Sequence, residues 1–261
     1  MVKYSRIGVN LDVVDVLGLP VSVTSKADAA EMITQRALLG ASDYYCFVNT
    51  HMCVEANTDR EFFDLLCRAS ALFADSRPVY WYQLWRKKHS IALMEQVRGV
   101  DLMRLLCIKA AAEGIPIGLW GGNDTTVLQA LHKRLTTDYQ GLNVVYAVAP
   151  SFDSLNDVER MQVAVDIRRS GAKLLFVGLG CPKQERWMAQ FAELPLQMLG
   201  VGAAFDFLAL RRREAPLVVQ RMGFEWLFRL SQEPSRLFWR YLKNNTQFVL
   251  LMVKHYFKRS P

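Results

Sequence analysis

At residues 176–187 the chain reads FVGLGCPKQERW. With the residues before it, AKLLFVGLG (172–180) has the character of a buried strand ending in glycine. Gly178 and Gly180 allow a tight turn, and Pro182 then falls where proline is favoured, at the first position of a helix. The stretch therefore predicts strand, glycine turn and helix. The polar opening of that helix, Lys183, Gln184 and Glu185, has two readings. In one, the free N–H groups and dipole of the helix start receive an anion, Gly180 lets the ligand come close, and Gln184 orients an oxygen-bearing group. In the other, the glycines only turn the chain and the polar residues solvate a helix end. The stretch by itself supports both.

Working outward, the same unit recurs. DYYCFVN (43–49) reads as a strand and 50–68 as a helix. ALFAD (71–75) is a strand ending in a carboxylate. GVDLMRLLCIKAAAEG (99–114) is an amphipathic helix stopped by Gly114 and Pro116. IPIGLWGG is a strand, NDTTVLQALHKRL a capped helix, LNVVYAV a strand, 154–170 a helix and LQMLGVG (196–202) the last strand. Ahead of these, alternating residues over 11–23 predict a short hairpin. The helix in TSKADAAEMI has Ser25 as its cap, with Asp28 completing a capping box. Strands alternating with helices predict an α/β, Rossmann-like fold, with a mostly parallel sheet and helices on both faces. After Phe207 the pattern changes to a basic loop, LALRRREAP, and then helices interrupted at Pro234. This divides the chain into an α/β core, 1–207, and a basic helical appendage, 208–261.

Composition narrows the class. Hydrophobic residues are 51% and charged residues 22% of the 261, enough apolar surface for a substantial core. The longest late apolar run, 248–253, is far short of the ~20 residues a spanning helix needs, and the start is not leader-like, so a soluble chain is expected. The five cysteines form no C-x-x-C pair, which suits a reducing cytosol. The four histidines are scattered, and no bound metal is expected. From Arg211 onward eleven basic residues face three acidic ones, a net +8. The rest of the chain carries −1 of the total +7. Such asymmetry predicts an anionic partner for the C-terminal segment.

In parallel sheets ligands bind beyond the carboxyl ends of the strands. Asn49, Thr50, Asp75, Gly121, Gly122, Asn123, the 178–185 stretch, Gly200 and Gly202 gather there. A dinucleotide G-x-G-x-x-G fails because Lys183 stands at its third glycine. GGNDTT does not fit either, and no P-loop occurs, which disfavours a hydride-transferring oxidoreductase. The chain also lacks an Asp-x-Asp pair to hold a divalent ion on a diphosphate. Fixed cations would have to balance that charge. Arg236, Arg240 and Lys243 share one helix face and can supply them, or they simply form a solvated basic face. A non-catalytic module whose basic tail holds lipid or nucleic acid is the remaining alternative.

Seven motifs, in order, are VNTHMCVEAN (48–57), FADSRPVYW (73–81), RGVDLM (98–103), GLWGGN (118–123), GLGCPKQERWM (178–188), GVGAAFDF (200–207) and GFEWLFRLSQEPSRLFWRYL (223–242). Together they resemble the WecG/TagA/CpsF family of bacterial glycosyltransferases over almost the whole chain. The resemblance implies inverting, metal-independent transfer of a sugar from a UDP-sugar to a polyprenyl-diphosphate-linked sugar, in surface-polysaccharide synthesis. It implies a donor of the N-acetylmannosamine type or glucose and a peripheral enzyme on the cytoplasmic face of the inner membrane, touching anionic lipid. No cofactor and no nucleic-acid partner are implied. On the family pattern Asp75 is the catalytic base, with Thr50 and Arg98 beside it. Asn49 joins the sugar pocket, Gln184 the donor site, and Arg229 and Arg236 the diphosphate. The 182–185 helix start and the Gly200–Gly202 turn are then expected at UDP, with Gly121, Gly122, Gly180, Lys183, Glu185 and Arg240 near it. Asp206 is expected either at the ribose or bracing the turn. Three positions depart from the pattern: Ser76 and Leu210 where glycine is usual, and Trp239 where a second basic residue is common.

Overall fold

The computed structural model describes residues 2–6, 9–86, 94–122, 124–150 and 155–259, with backbone alone at 2–6, 9, 10, 236, 240, 241 and 256–259. One sheet holds nine strands, β1 (Val2–Arg6), β2 (Val9–Val16), β3 (Leu19–Ser22), β4 (Asp43–Val48), β5 (Ala71–Ala74), β6 (Ile117–Gly121), β7 (Val144–Val148), β8 (Leu174–Gly178) and β9 (Gln197–Gly200). Their order is β1-β2-β3-β5-β4-β9-β8-β6-β7. From β3 to β7 every pairing is parallel, while β1–β2 and β2–β3 are antiparallel. The expected fold class therefore stands, and the predicted hairpin is two strands of a three-stranded ribbon.

The helices are α1 (Lys26–Leu38), α2 (Thr50–Thr58), α3 (Arg60–Arg68), α4 (Arg77–Arg86), α5 (Gly99–Glu113), α6 (Thr125–Asp138), α7 (Asp157–Ser170), α8 (Lys183–Gln190), α9 (Ala204–Leu208), α10 (Leu217–Arg221), α11 (Glu225–Gln232) and α12 (Pro234–Arg259). Strand alternation sorts the core. Tyr44, Cys46 and Val48 of β4 join the layer containing α2, α3 and α8, whereas Tyr45 and Phe47 join the layer containing α1, α5, α6 and α9. All of β4 is buried, as a strand covered on both faces must be.

The structure differs from the sequence expectations at several elements. The helix expected over 50–68 is two helices. Asp59 adopts extended backbone and its side chain accepts from Phe62 N, so a new cap outcompetes continuation. Helix α4 was not expected, because its aromatic run RPVYWYQLWR resembles strand material. Buried Gln83 fixes it by donating to Val21 O and Ser22 O at the end of β3. Ser25 does cap α1, but Asp28 returns its carboxylate to the serine hydroxyl instead of the backbone. A complete capping box forms at Asn156 and Glu159, and α7 begins at Asp157; the predicted start, Ser154, lies outside the described residues.

The C-terminal helices lie against the core. On α12, Leu237, Asn244 and Phe248 are buried, one face of the helix, while Phe238, Trp239, Leu242 and Leu250 are exposed on the other. Phe248 packs into the α2 layer. Burying such a ring contributes about 2–3 kcal/mol to seating α12. Among the described residues no helix is long and apolar enough to cross a membrane.

Candidate active site

A cavity of about 360 Å³ opens at the carboxyl ends of β4, β5, β8 and β9. Its position follows from topology. After β4 the chain enters α2 on one face of the sheet, and after the adjacent β9 it enters α9 on the other, so a crevice is left between them. Segments of α10–α12 form the opposite wall, through Gly223, Glu225, Trp226, Arg229, Asn244 and Asn245.

Asp75 follows β5 and reaches this cavity. Its backbone N–H extends the sheet to Val48 O at 2.9 Å, and its Oδ1 accepts from Gly99 N, the start of α5, at 3.1 Å. Burial and then the negative charge of Glu225 push its carboxyl up to about 6, against the Gly99 N–H and the charges of Arg98 and Arg229. A carboxylate with that affinity is ionised at neutral pH yet takes up a proton readily. Beside it, Ser76 Oγ is buried without a hydrogen-bond partner.

Arg98 also lines the cavity, but its guanidinium is committed. Nη1 donates to Gln220 Oε1 at 2.7 Å and Nη2 to Glu225 Oε1 at 3.0 Å, while Asp101 and Glu214 stand at 3.4 and 3.6 Å. Burial opposes its charge, yet Glu225, Asp101, Asp75 and Glu214 hold the proton more firmly than usual. Arg98 thus ties the core to α10 and α11 and lines the same cavity as Asp75. Arg229, one turn beyond Glu225, stacks over Phe207 with 5.6 Å between guanidinium carbon and ring centre; among the described residues no carboxylate pairs with it.

Gln184 is buried, and its amide is engaged inside the protein. Nε2 donates to Gly200 O at 2.6 Å and to Glu185 Oε1 at 2.8 Å, and Oε1 accepts from Gly180 N at 3.1 Å. It therefore laces the β8 and β9 turns together while also lining the cavity. A Cβ at Gly200 would fall 3.0 Å from Gln184 Nε2 and 2.8 Å from Met188 Cε, so the brace needs glycine there. Glu185 is fully buried behind the cavity wall, its carboxyl raised by burial to about 7 against the Gln184 hydrogen bond. Helix α8 starts at Lys183 with Pro182 at the cap position, and Gln184 N donates to Gly180 O; the anion-receiving start is thus partly closed by the chain itself.

The other wall joins α2 to α12. Asn49 caps α2 by accepting from Met52 N at 3.1 Å. Thr50 Oγ1 meets Asn245 Oδ1 at 3.4 Å, and His51 Nδ1 lies 3.0 Å from Asn244 Nδ2. Asp206 lines the cavity and accepts on its backbone oxygen from Arg211 N and Arg212 N; its carboxylate lies 3.3 Å from Arg212. That is the turn-bracing alternative.

Of the expected residues, the cavity brings together Asn49, Thr50, Asp75, Arg98, Gly180, Gln184, Gly200, Gly202, Asp206 and Arg229. Gly121 and Gly122 are not in its lining. A Cβ on Gly121 would meet Gly178 C and O at 2.6 Å, and Gly122 N donates to Gly178 O, so this pair allows the β6 and β8 ends to touch. Lys183 is exposed outside the lining and Glu185 lies behind it. Asn123 and the side chains of Arg236 and Arg240 lie outside the described residues. Sequence reasoning missed Glu225, Arg77, Arg212, His51, Asn244 and Asn245, all in the lining. The GFEW motif was the available signal for Glu225, since it sits one helical turn before Arg229.

The site thus combines a buried carboxylate, a glycine-lined crevice and an arginine that no carboxylate pairs with among the described residues, on a mostly parallel α/β sheet. The sequence model described as the Glycosyl transferase WecG/TagA/CpsF family matches residues 14–261, and the chain belongs to that family. It is a glycosyltransferase.

Proposed function

We propose that this enzyme transfers a hexosyl group, of the N-acetylmannosamine type or glucose, from a UDP-sugar to a polyprenyl-diphosphate-linked sugar, with inversion. The observation that carries the proposal is the meeting of Asp75 and Arg229 in one crevice from opposite walls. The acceptor hydroxyl attacks the anomeric carbon from the side opposite UDP. Asp75 takes the hydroxyl proton, the bond between the anomeric carbon and the phosphate oxygen breaks, and UDP leaves with the electron pair. Arg229 is proposed to supply fixed positive charge against the departing diphosphate, with Arg236 and Arg240 extending that set. Gly180 and the Gly200–Gly202 turn give the donor close backbone approach. Turnover is proposed to need no divalent cation, with arginine balancing the charge of the departing diphosphate.

The appendage is proposed as the membrane contact, at the cytoplasmic face of the bacterial inner membrane. Exposed Leu217, Val218, Met222, Phe224, Trp239 and Leu242 lie within the +8 segment, an arrangement that suits an anionic lipid surface holding the acceptor. The test is a panel of UDP-sugars with a short-chain polyprenyl diphosphate sugar in excess chelator. UDP release that requires both substrates supports the assignment. Release that requires only added divalent cation, or none with any donor, overturns it.

A further inference from the structure

Glu225 has no place in the transfer as derived so far, yet it is a carboxylate that the appendage brings into the crevice wall. Its Oε1 accepts from Arg98 Nη2 at 3.0 Å, and its side chain lines the same cavity as Asp75. Arg98 in turn precedes Gly99, whose N–H holds Asp75 Oδ1. Two carboxylates, one from the core and one from the appendage, are therefore disposed about a single buried guanidinium. The appendage reaches Arg98 again through Gln220 of α10, which accepts from Nη1 at 2.7 Å, and through Glu214 at 3.6 Å.

We propose that Glu225 is a positioning residue for sugar transfer: held by Arg98, it seats α11 over the crevice and sets a fixed negative charge against Asp75. The inference rests on Asp75 being the base. Removing the charge of Glu225 takes away a charge that disfavours ionised Asp75, and it leaves the positive charge of Arg98 less compensated, with Asp101 and Glu214 still beside it. Both effects have the same sign and make Asp75 a weaker base.

The charges around Asp75 limit what else can produce that effect. Sharing its cavity are Glu225 and Arg229 from α11, Arg98 ahead of α5, Arg77 from α4 and His51 from α2. Asp206 of α9 and Arg212 beyond it complete the set. Glu225 is the carboxylate that opposes ionisation of Asp75, while Arg98 and Arg229 favour it. Glu214 supplies an internal control. It belongs to the same Arg98 cage, at 3.6 Å, and also pairs with Arg104, but it is not in the lining of the Asp75 cavity.

The test is the pH dependence of kcat/KM for E225Q, E214Q and R229Q, each verified as folded by circular dichroism. Glu225→Gln keeps an oxygen for Arg98 and removes only the charge. Its acidic limb should move to lower pH by about one unit, with lower turnover on the plateau. Arg229→Gln should move the limb upward, and Glu214→Gln should leave it in place. A limb unmoved in E225Q overturns the inference, whatever the fall in rate. Should E225Q not fold, R229Q carries the test, and an unmoved limb there overturns the claim that α11 sets charge against Asp75. Wild-type turnover by D75N would instead refute the assignment of the base, so the two failures are distinguishable.

Discussion

Replacing Gln184 by Leu separates a brace from a ligand contact. The substitution keeps most of the volume and deletes the amide. Three groups lose their partner: Gly180 N–H, Gly200 C=O and Glu185 Oε1. Gly180 borders the cavity and can turn to water, whereas Glu185 is fully buried and Gly200 fully enclosed in β9. Two stranded buried groups at about 1–3 kcal/mol each, offset in part by the added apolar carbon, give a net loss of about 2–4 kcal/mol. That is a large fraction of an ordinary domain's stability of about 5–15 kcal/mol, yet it leaves the protein folded. Urea denaturation at neutral pH measures it, and calorimetric titration with UDP measures the site. The account predicts an earlier midpoint and weakened UDP binding together, because the β8 and β9 turns lose their tie. Unchanged stability with UDP affinity abolished would refute the brace and make Gln184 a direct ligand contact.

Other consequences are equally open to measurement. Leu210 has a left-handed backbone, φ 56°, so Leu210→Gly should stabilise the fold by about 1 kcal/mol in thermal melts; a lowered Tm would contradict this. Because the Asp75 carboxyl is raised from 3.8 to about 6, its contribution to stability is greatest below about 4 and is lost as pH rises through about 6. Asp75→Asn should therefore be more stable than wild type at pH 8, by about 1–3 kcal/mol, and equal to it at low pH; the reverse order would refute the sign. Gly121→Ala should cost several kcal/mol, about the upper range for point changes, since its Cβ has no room against Gly178 and φ is 126°; near-normal stability would show the contact to be soft. Replacing exposed Trp239 and Leu242 by Ser should reduce binding to anionic liposomes while leaving the melting temperature nearly unchanged, and unaltered binding would move the membrane contact elsewhere.

The fold was legible where periodicity and caps agree. The apolar runs of β4, β8 and β9 alternate with amphipathic helices, and that alternation alone gives a parallel sheet. Helix α4 was hidden because its burial is set by Gln83 and the end of β3, a tertiary contact that overrides its strand-like composition. In the site, Asp75 and the glycines were readable as strand-end residues. Gln184 was readable as a crevice residue, but its bracing contacts were not, since sequence cannot show that Gly200 O and Gly180 N lie within its reach. Glu225 escaped for a related reason: it meets Arg98 across 127 residues of chain. The family's glycine at position 210 gains a physical meaning from the observed positive φ, and Leu210 holds that conformation without it.

The most direct test of the central claim is single-turnover sugar transfer by Asp75→Asn, with UDP binding measured on the same preparation. The account predicts a fall of about 10²–10⁴ in rate with UDP affinity preserved, because the variant keeps the shape of the site and the hydrogen bond from Gly99 N but has no basic oxygen for the acceptor proton. Transfer within about threefold of wild type would contradict it, and the proton would have to leave by another group in the crevice.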